Sequence, residues 1–461
     1  TSRLTLDYGL RWEYFGSPTF EDGLQFNWDP ATGNVVVAPG TIQSISPLYP
    51  QTITVVEGQV VPDPDPRNFR PRLGLAYRMR DDLVIRGGYG IFTYRTDYFD
   101  RSSGGGPFEI AETYFNEIVD GQPLFSFPNP FPADLATAAI PSQSVRGYPL
   151  QTRDGDIHQF NLSIEKQYGD IGVRMSYVGS RSRGLNYNLN TNKPQPSLIP
   201  FSADRRPYPQ FVNTTEVRED GKSNYDSLQL QVQRKVGAIT FNAHWTWANN
   251  MHNFLNTENP YDVTSHWSRD GVTRRHRAVV ETMIDLPWGR GRRYATDIHP
   301  ALDAVIGGWN LQTISVFSTG LYFSPSFSGS DPSNTNTVGG LPDRIADGKL
   351  PSDQRSVDGW FDASAFRVPE PGRFGNSGVN VIEGQGIHLH HLTLSKRFQI
   401  SERFRLVCTG AISNLFNKPH FLSMRTNISA AGPGELTSLP NRLFPERSSH
   451  RHANLQLRLE F

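Results

Sequence analysis

A two-residue period runs through this chain from end to end, and it constrains the fold more than any other feature. Between Arg3 and Tyr14, Leu4, Leu6, Tyr8, Leu10, Trp12 and Tyr14 fall on one face, and Arg3, Thr5, Asp7, Gly9, Arg11 and Glu13 fall on the other. The last residues repeat the pattern: Ala453, Leu455, Leu457, Leu459 and Phe461 alternate with Asn454, Gln456, Arg458 and Glu460. So do Leu228, Leu230 and Val232 against Gln229, Gln231 and Gln233, and Ile239, Phe241, Ala243, Trp245 and Trp247 against Thr240, Asn242, His244 and Thr246. Alternation of this kind belongs to strands with two unlike faces. It predicts about twelve strands, near 2–15, 68–79, 83–95, 157–168, 171–182, 225–236, 239–248, 276–287, 309–321, 387–398, 404–416 and 452–461. In the strand at 309–321, Ile314 and Val316 break the phase set by Trp309 and Leu311.

The connections alternate in length. Residues 80–82, 169–170, 237–238 and 399–403 read as tight turns. Between them lie 16–67, 96–156, 183–224, 249–275, 322–386 and 417–451. One connection, 288–308, departs from the rule: it begins with Arg290, Arg292 and Arg293 and carries a predicted short helix over Pro300–Ile306. Short turns at one end and long loops at the other describe a barrel that crosses an outer membrane. No run approaches the ~18 apolar residues of a membrane helix. The low share of hydrophobic residues, 37%, fits strands that are apolar on one face only. Aromatics gather at strand ends, as interfacial girdles require. Trp12, Tyr14, Phe92, Tyr94, Phe160, Tyr225, Trp245 and Trp247 lie toward the long loops, and Tyr77, Tyr168, Phe398, Phe404 and Phe461 toward the short turns. A soluble sandwich would have to pair the mid-strand Arg, Glu, Gln and Asn in a dry core; a wet or plugged lumen solvates them. The predicted fold is therefore all-β, an antiparallel transmembrane β-barrel with long extracellular loops, and the whole of 1–461 belongs to it.

Several phrases then resemble a known family. Leu6-Asp7-Tyr8-Gly9-Leu10-Arg11-Trp12-Glu13-Tyr14, Arg70-Pro71-Arg72-Leu73-Gly74-Leu75-Ala76-Tyr77 and Arg86-Gly87-Gly88-Tyr89-Gly90 come first. Tyr177-Val178-Gly179-Ser180-Arg181, Gly307-Gly308-Trp309-Asn310-Leu311, Arg373-Phe374-Gly375-Asn376-Ser377-Gly378 and the stretch from Asn414 to Phe421 follow. In this order they resemble the barrel of TonB-dependent outer-membrane receptors, in particular the Oar-like branch. The resemblance implies a barrel of about 22 strands with a plugged lumen. It also implies a plug domain and a segment that contacts TonB, neither of which is seen in this sequence. The chain opens directly on a strand with no signal-peptide pattern. An incomplete barrel would leave two strand edges open in lipid, so the chain is expected to be the C-terminal portion of such a barrel unless its twelve strands close alone.

Candidate chemistry is sparse. Lys plus Arg and Asp plus Glu each total 45, which gives no electrostatic reason to expect nucleic acid. Cys408 is the single cysteine and reads as a small hydrophobe on the apolar face of its strand. His388 and His390 share a strand face beside His391, with His450 and His452 further on, but no ligand pattern accompanies them. The segment 328–336 is rich in oxygen donors yet lacks spaced carboxylates. No nucleophile elbow, zinc helix or phosphate loop is present, and no catalytic residue, metal or cofactor is expected. Arg274, Arg275 and Arg277 either line the lumen, bind lipopolysaccharide phosphates or form a solvated rim.

The expected function is TonB-dependent uptake of a ligand across the outer membrane, with outer-membrane lipid, lipopolysaccharide, the barrel-assembly machinery and TonB as partners. The alternatives are a surface-adhesion or export-assisting barrel and a secreted carbohydrate-active β-sandwich. Ligand contact is expected in loops 96–156, 183–224 and 322–386, with Phe108, Tyr114, Phe115, Phe125 and Phe127 as candidates. Leu455, Leu457, Leu459 and Phe461 resemble the terminal signal read by the assembly machinery.

Overall fold

A computed structural model describes the chain except for residues 1–2, 96–105, most of 110–142 and 439–449. Twelve strands form one antiparallel sheet in the order of the sequence: β1 (Leu4–Glu13), β2 (Asn68–Arg80), β3 (Leu83–Tyr94), β4 (Gly155–Tyr168), β5 (Ile171–Asn190), β6 (Thr214–Arg234), β7 (Ile239–His252), β8 (His276–Asp285), β9 (Trp309–Ser318), β10 (Ile387–Gln399), β11 (Arg405–Ser413) and β12 (His452–Glu460). All twelve predicted strands are present. The one α-helix among the described residues, α1 (Pro300–Ile306), lies where the sequence placed it. Gly307 ends it, donating its N–H to the Asp303 carbonyl, and Trp309 Nε1 donates back to the Val305 carbonyl at 2.8 Å. Lys396, beside this short-turn end, is satisfied by the Gly307 carbonyl at 2.5 Å and lies over the Trp309 ring.

The faces divide as the alternation requires. In register, Leu162, Ile164 and Phe160 oppose Tyr177, Met175 and Gly179, and Leu228 and Leu230 oppose Trp247 and Trp245. These residues make one apolar face with no layer of protein packed over it among the described residues; Tyr8 is 84% exposed and Leu455 78%. The other face is polar and concave. A hollow of about 650 Å³ spans β3 to β7 there, lined by Arg86, Asn161, Ser163, Glu165, Arg174, Gln229, Gln231 and His244. Glu165 takes Arg174 at 2.9 Å and Arg86 at 3.4 Å, and Gln231 donates to Asn242 at 2.8 Å. Near the long-loop end, Arg70 is held by Asp156, Thr93 and Asn68, each at 2.7 Å. That network joins β2, β3 and β4, and Thr93 reaches Glu13 of β1.

The phase break in β9 has a physical reason. Val316 pairs with Val279 of β8 and with Leu389 of β10. Together with Ile387 they form a small buried cluster on the inward face, with Leu389 fully buried. Apolar residues pay no desolvation penalty there because neighbouring side chains exclude water locally.

One finding differs from the expectation. Nearly half of the connection 183–224 is strand: β5 has 20 residues and β6 has 21. At about 3.3 Å per residue such strands reach roughly 65 Å, well beyond an apolar band of about 25 Å. A register shift at Arg183–Leu185, with Gly184 at φ +72°, marks where the hairpin leaves the regular sheet. Among the described residues the sheet is open, as the partial-barrel expectation requires. β1 pairs only with β2 and β12 only with β11, so the twelve strands do not close on themselves.

Leu230 lies near the middle of the β6 segment paired with β7. Leu230→Arg is expected to destabilise the folded barrel by about 2–4 kcal/mol, and Gln231→Arg, on the polar face, by much less. Denaturant titration of the full-length protein in lipid vesicles checks this; equal or reversed effects would contradict the assignment of faces.

Candidate functional site

The long loops build the site, and they do so by packing hydrophobic cores of their own. The first core takes Phe26, Trp28, Val35, Val37, Tyr49, Ile53, Val145 and Phe211 from three different connections. Its frame is a small sheet of Phe26–Trp28, Val35–Val37 and Val55–Glu57. Val145–Gly147 runs parallel to the start of β6 and fixes this unit to the barrel wall. Asn27 locks it further, exchanging two hydrogen bonds with the Tyr148 backbone at 2.9 and 3.0 Å. Burial pushes the Tyr49 hydroxyl up to about 12. Phe108, a candidate ligand aromatic, packs against this core. The candidates Tyr114, Phe115, Phe125 and Phe127 lie outside the described residues.

A second core joins Phe361, Ala365, Phe366 and Ile382 of the connection after β9 to Met424 and Leu436 of the connection after β11. Two Asn residues start the latter. Asn414 and Asn417 both take left-handed backbone, and Asn414 bridges to Lys418 through its amide at 2.8 Å. This is the phrase that begins at Asn414 in the sequence. His420 follows, 4% exposed, with Nε2 accepting the His388 backbone N–H at 2.9 Å. Burial, reinforced by His388, Lys418 and Arg274, pulls its pKa down to about 4.

Between the second core and the extension of β7 lies a cavity of about 890 Å³. Its walls come from 251–275 and 322–383, with Pro196 at one side. The Arg373–Gly378 phrase forms part of the wall. Arg373 grips the buried Asp343 at 2.7 Å, Asn376 accepts the Arg344 N–H at 2.9 Å, and a side chain at Gly375 would collide with the Leu341 carbonyl. The charged lining consists of Arg269, Arg275, Arg344, Lys349, Arg355 and Arg373 against Glu258, Asp262, Asp347 and Glu383. Arg344 pairs with Asp347 at 2.6 Å, and Asp262 with His266 at 3.2 Å. Glu258 accepts the Leu341 N–H at 2.9 Å; burial raises its pKa and lowers that of Lys193, which donates to the Glu258 carbonyl. Arg269, Arg275 and Arg355 have no carboxylate partner among the described residues. Each lies over a ring instead: Tyr322 at 4.9 Å, Trp247 at 5.9 Å and Trp360 at 5.6 Å. Sequence reading placed ligand contact in 322–386 but passed over 249–275, whose lining residues, from Met251 to Arg275, lie far in sequence from Arg344–Glu383 across the cavity.

Other candidates resolve as follows. His388 and His390 do share a face, the outward one, against Phe317 and Phe416. His390 Nδ1 meets Ser315 Oγ at 2.9 Å. No group of three potential metal ligands occurs among the described residues. In 328–336 the Asp331 carboxylate accepts from Ser333 at 2.6 Å and from the Asn336 N–H at 2.7 Å, which turns the loop. The basic run splits: Arg274 bonds the Thr319 carbonyl and Arg275 reaches the cavity. Leu455, Leu457, Leu459 and Phe461 stand exposed along β12 and just after it.

The profile of the family described as outer membrane beta barrel domain matches residues 1–448. No curated protein matches the chain. Solved structures similar to it include the outer membrane transporter YddB from Escherichia coli, at 10% identity and a TM-score of 0.42, covering 85% of this chain and 40% of that one. The ferripyoverdine receptor of Pseudomonas aeruginosa matches at 9% identity and 0.40, covering 80% and 31%. The FrpB iron transporter from Neisseria meningitidis (F3-3 variant) matches at 8% and 0.42, covering 100% and 42%. The chain thus spans less than half the length of these structures.

Folding of the second core is expected to depend on pH through His420. In an opened loop its imidazole takes up a proton below about 6.5, but in the packed loop only near 4. The opened form therefore binds more protons between these values, and protection is lost as pH falls through that window. Amide exchange at residues 421–424, corrected for intrinsic rates, should show this loss in the native protein and not in His420→Gln; a flat profile in both would contradict it.

Proposed function

The chain belongs to the outer membrane β-barrel domain family, and from that premise we propose that it supplies wall and binding loops to a TonB-dependent receptor of the Oar-like kind, which imports a ligand. The observation that carries this reading is the open twelve-stranded arc with a polar concave face. Sealing both edges takes more strands, and a barrel well beyond twelve strands encloses a lumen too wide to stand without a plug or a channel function. The phrases quoted from the sequence support the receptor branch, and several of them hold the wall and loops together: Arg70 in its network, Arg373 on Asp343, and Asn414 on Lys418.

In this reading the remaining strands, the plug and the TonB-contacting segment belong to the rest of the receptor. The loop cores hold the mouth rigid, so that ligand recognition falls to side chains on fixed positions, which lowers the entropy lost on binding. The free edge of β12 pairs with the barrel-assembly machinery by main-chain hydrogen bonds, and Leu455, Leu457, Leu459 and Phe461 give that pairing its apolar side.

Capture of the full-length receptor from outer membranes by the purified periplasmic domain of TonB tests the reading. Retention that is lost when the TonB-contacting segment is deleted is the expected result. No retention in the wild type would favour the adhesion or export-assisting barrel. Deleting Phe461 should lower the amount of receptor that reaches the outer membrane; unchanged amounts would leave it an interface anchor alone.

A further inference from the structure

We propose that the cavity between the β7 extension and the second loop core binds the phosphorylated sugar headgroup of an anionic glycolipid in the outer leaflet. The first ground is its place on the fold. Trp245, Trp247 and Met251 occupy alternate positions of β7 and so project from one face, the face shared with Leu228 and Leu230 and turned to lipid. Arg269 lies opposite Met251 in the paired segment Ser268–Arg269 and projects from the same face. Its neighbour Asp270 turns the other way, where it accepts from Asn250 at 2.7 Å. Arg275 lies over the Trp247 ring. Arg269 and Arg275 therefore continue the outward aromatic girdle instead of facing the lumen.

Height supports the same conclusion. Met251 lies four residue steps beyond Trp247, about 13 Å of strand and about 10 Å of height at the tilt usual in such barrels. Girdle aromatics sit at the headgroup level. Groups some 10 Å above them meet the phosphates and sugars of the leaflet, not its acyl chains.

The chemistry is the second ground. Arg181, elsewhere on the outward rim, is neutralised by Asp226 at 2.8 Å. Arg269, Arg275 and Arg355 lack such a partner among the described residues, and Lys349 stands exposed beside them. Arg269 spends Nη1 on the Tyr322 hydroxyl at 2.7 Å and Arg355 spends Nε on the Leu350 carbonyl at 3.0 Å; these bonds and the nearby rings fix the guanidinium planes, and the Nε–Nη2 edge of Arg269, the terminal N–H pair of Arg355 and the fork of Arg275 are left for an incoming oxyanion. Phosphate matches that fork in two-point contact. Trp267, 41% exposed on the lining, offers a ring for a sugar face. A volume of about 890 Å³ holds a phosphorylated disaccharide and excludes acyl chains, which stay in the bilayer below.

The test uses the full-length receptor in nanodiscs of phosphatidylethanolamine doped with bisphosphorylated lipid A or with its dephosphorylated form. Native mass spectrometry reads the glycolipid retained. The bisphosphorylated form should be retained roughly tenfold better. The combined variant Arg269→Gln, Arg275→Gln, Arg355→Gln should fall to the dephosphorylated level, whereas Arg174→Gln on the concave face should not. Inorganic phosphate should fail to displace the lipid. Unchanged heat-modified mobility of the triple variant shows that it has folded. Equal retention by wild type and the triple variant would overturn the proposal. So would displacement by inorganic phosphate, which marks a site for soluble anions.

Discussion

Everything in this structure depends on one apolar surface that the protein does not cover. In a soluble sheet protein the apolar face packs on another layer. Here the face bearing Leu6, Leu10, Leu162, Leu230, Leu455 and Leu457 has no such layer among the described residues and stays open. Water would make that surface unfavourable by about 25 cal/mol for each Å². A bilayer removes the cost, and its acyl chains do the work of a core. The concave face then becomes the wet side, and mid-strand charges such as Arg86, Glu165 and Arg174 are hydrated or paired without desolvation.

The same constraint explains where the protein does have cores. Side chains buried from both water and lipid are found mainly in the connections: Trp28, Val35 and Phe211 in one unit, Phe361, Phe366 and Leu436 in another. Outside the membrane the loops meet water and must bury apolar groups by the ordinary rules. Packing gives them a fixed shape, which a recognition surface needs and a solvated loop of the same length would lack. The extended hairpin of β5 and β6 carries the sheet up into this layer and supplies Thr214–Glu216 as the edge on which Val145–Gly147 docks. Wall and loops are thus one mechanical unit.

The strands were legible because lipid outside and water inside enforce a strict period of two, as in Leu228–Gln233. Where a third environment enters, the period misleads. Val316 and Leu389 lie inward yet are apolar, because they pack with Val279 and Ile387 in a small buried cluster. The β5–β6 extension was read as loop because Arg183 to Arg218 lies above the bilayer, where neither face is lipid and alternation carries no signal. The loop cores were invisible for another reason. Phe26 meets Phe211, and Ile382 meets Met424, across long sequence separations that no local pattern records. The cavity shares that fate: Arg269 bonds Tyr322, Trp360 bonds the Glu383 carbonyl and Arg373 bonds Asp343, contacts between segments far apart in sequence. Motif phrases such as Arg373–Gly378 were visible, but their role as folding contacts on Leu341–Arg344 was not.

The account stands on the claim that one face of this sheet touches lipid and the other touches water. Spin labels placed singly at 228 through 233 in the reconstituted full-length protein measure it directly. Collision with oxygen, which concentrates in lipid, should peak at positions 228, 230 and 232. Collision with a water-soluble nickel chelate should peak at 229, 231 and 233. Equal access to the chelate at all six positions, or the opposite alternation, would contradict the account.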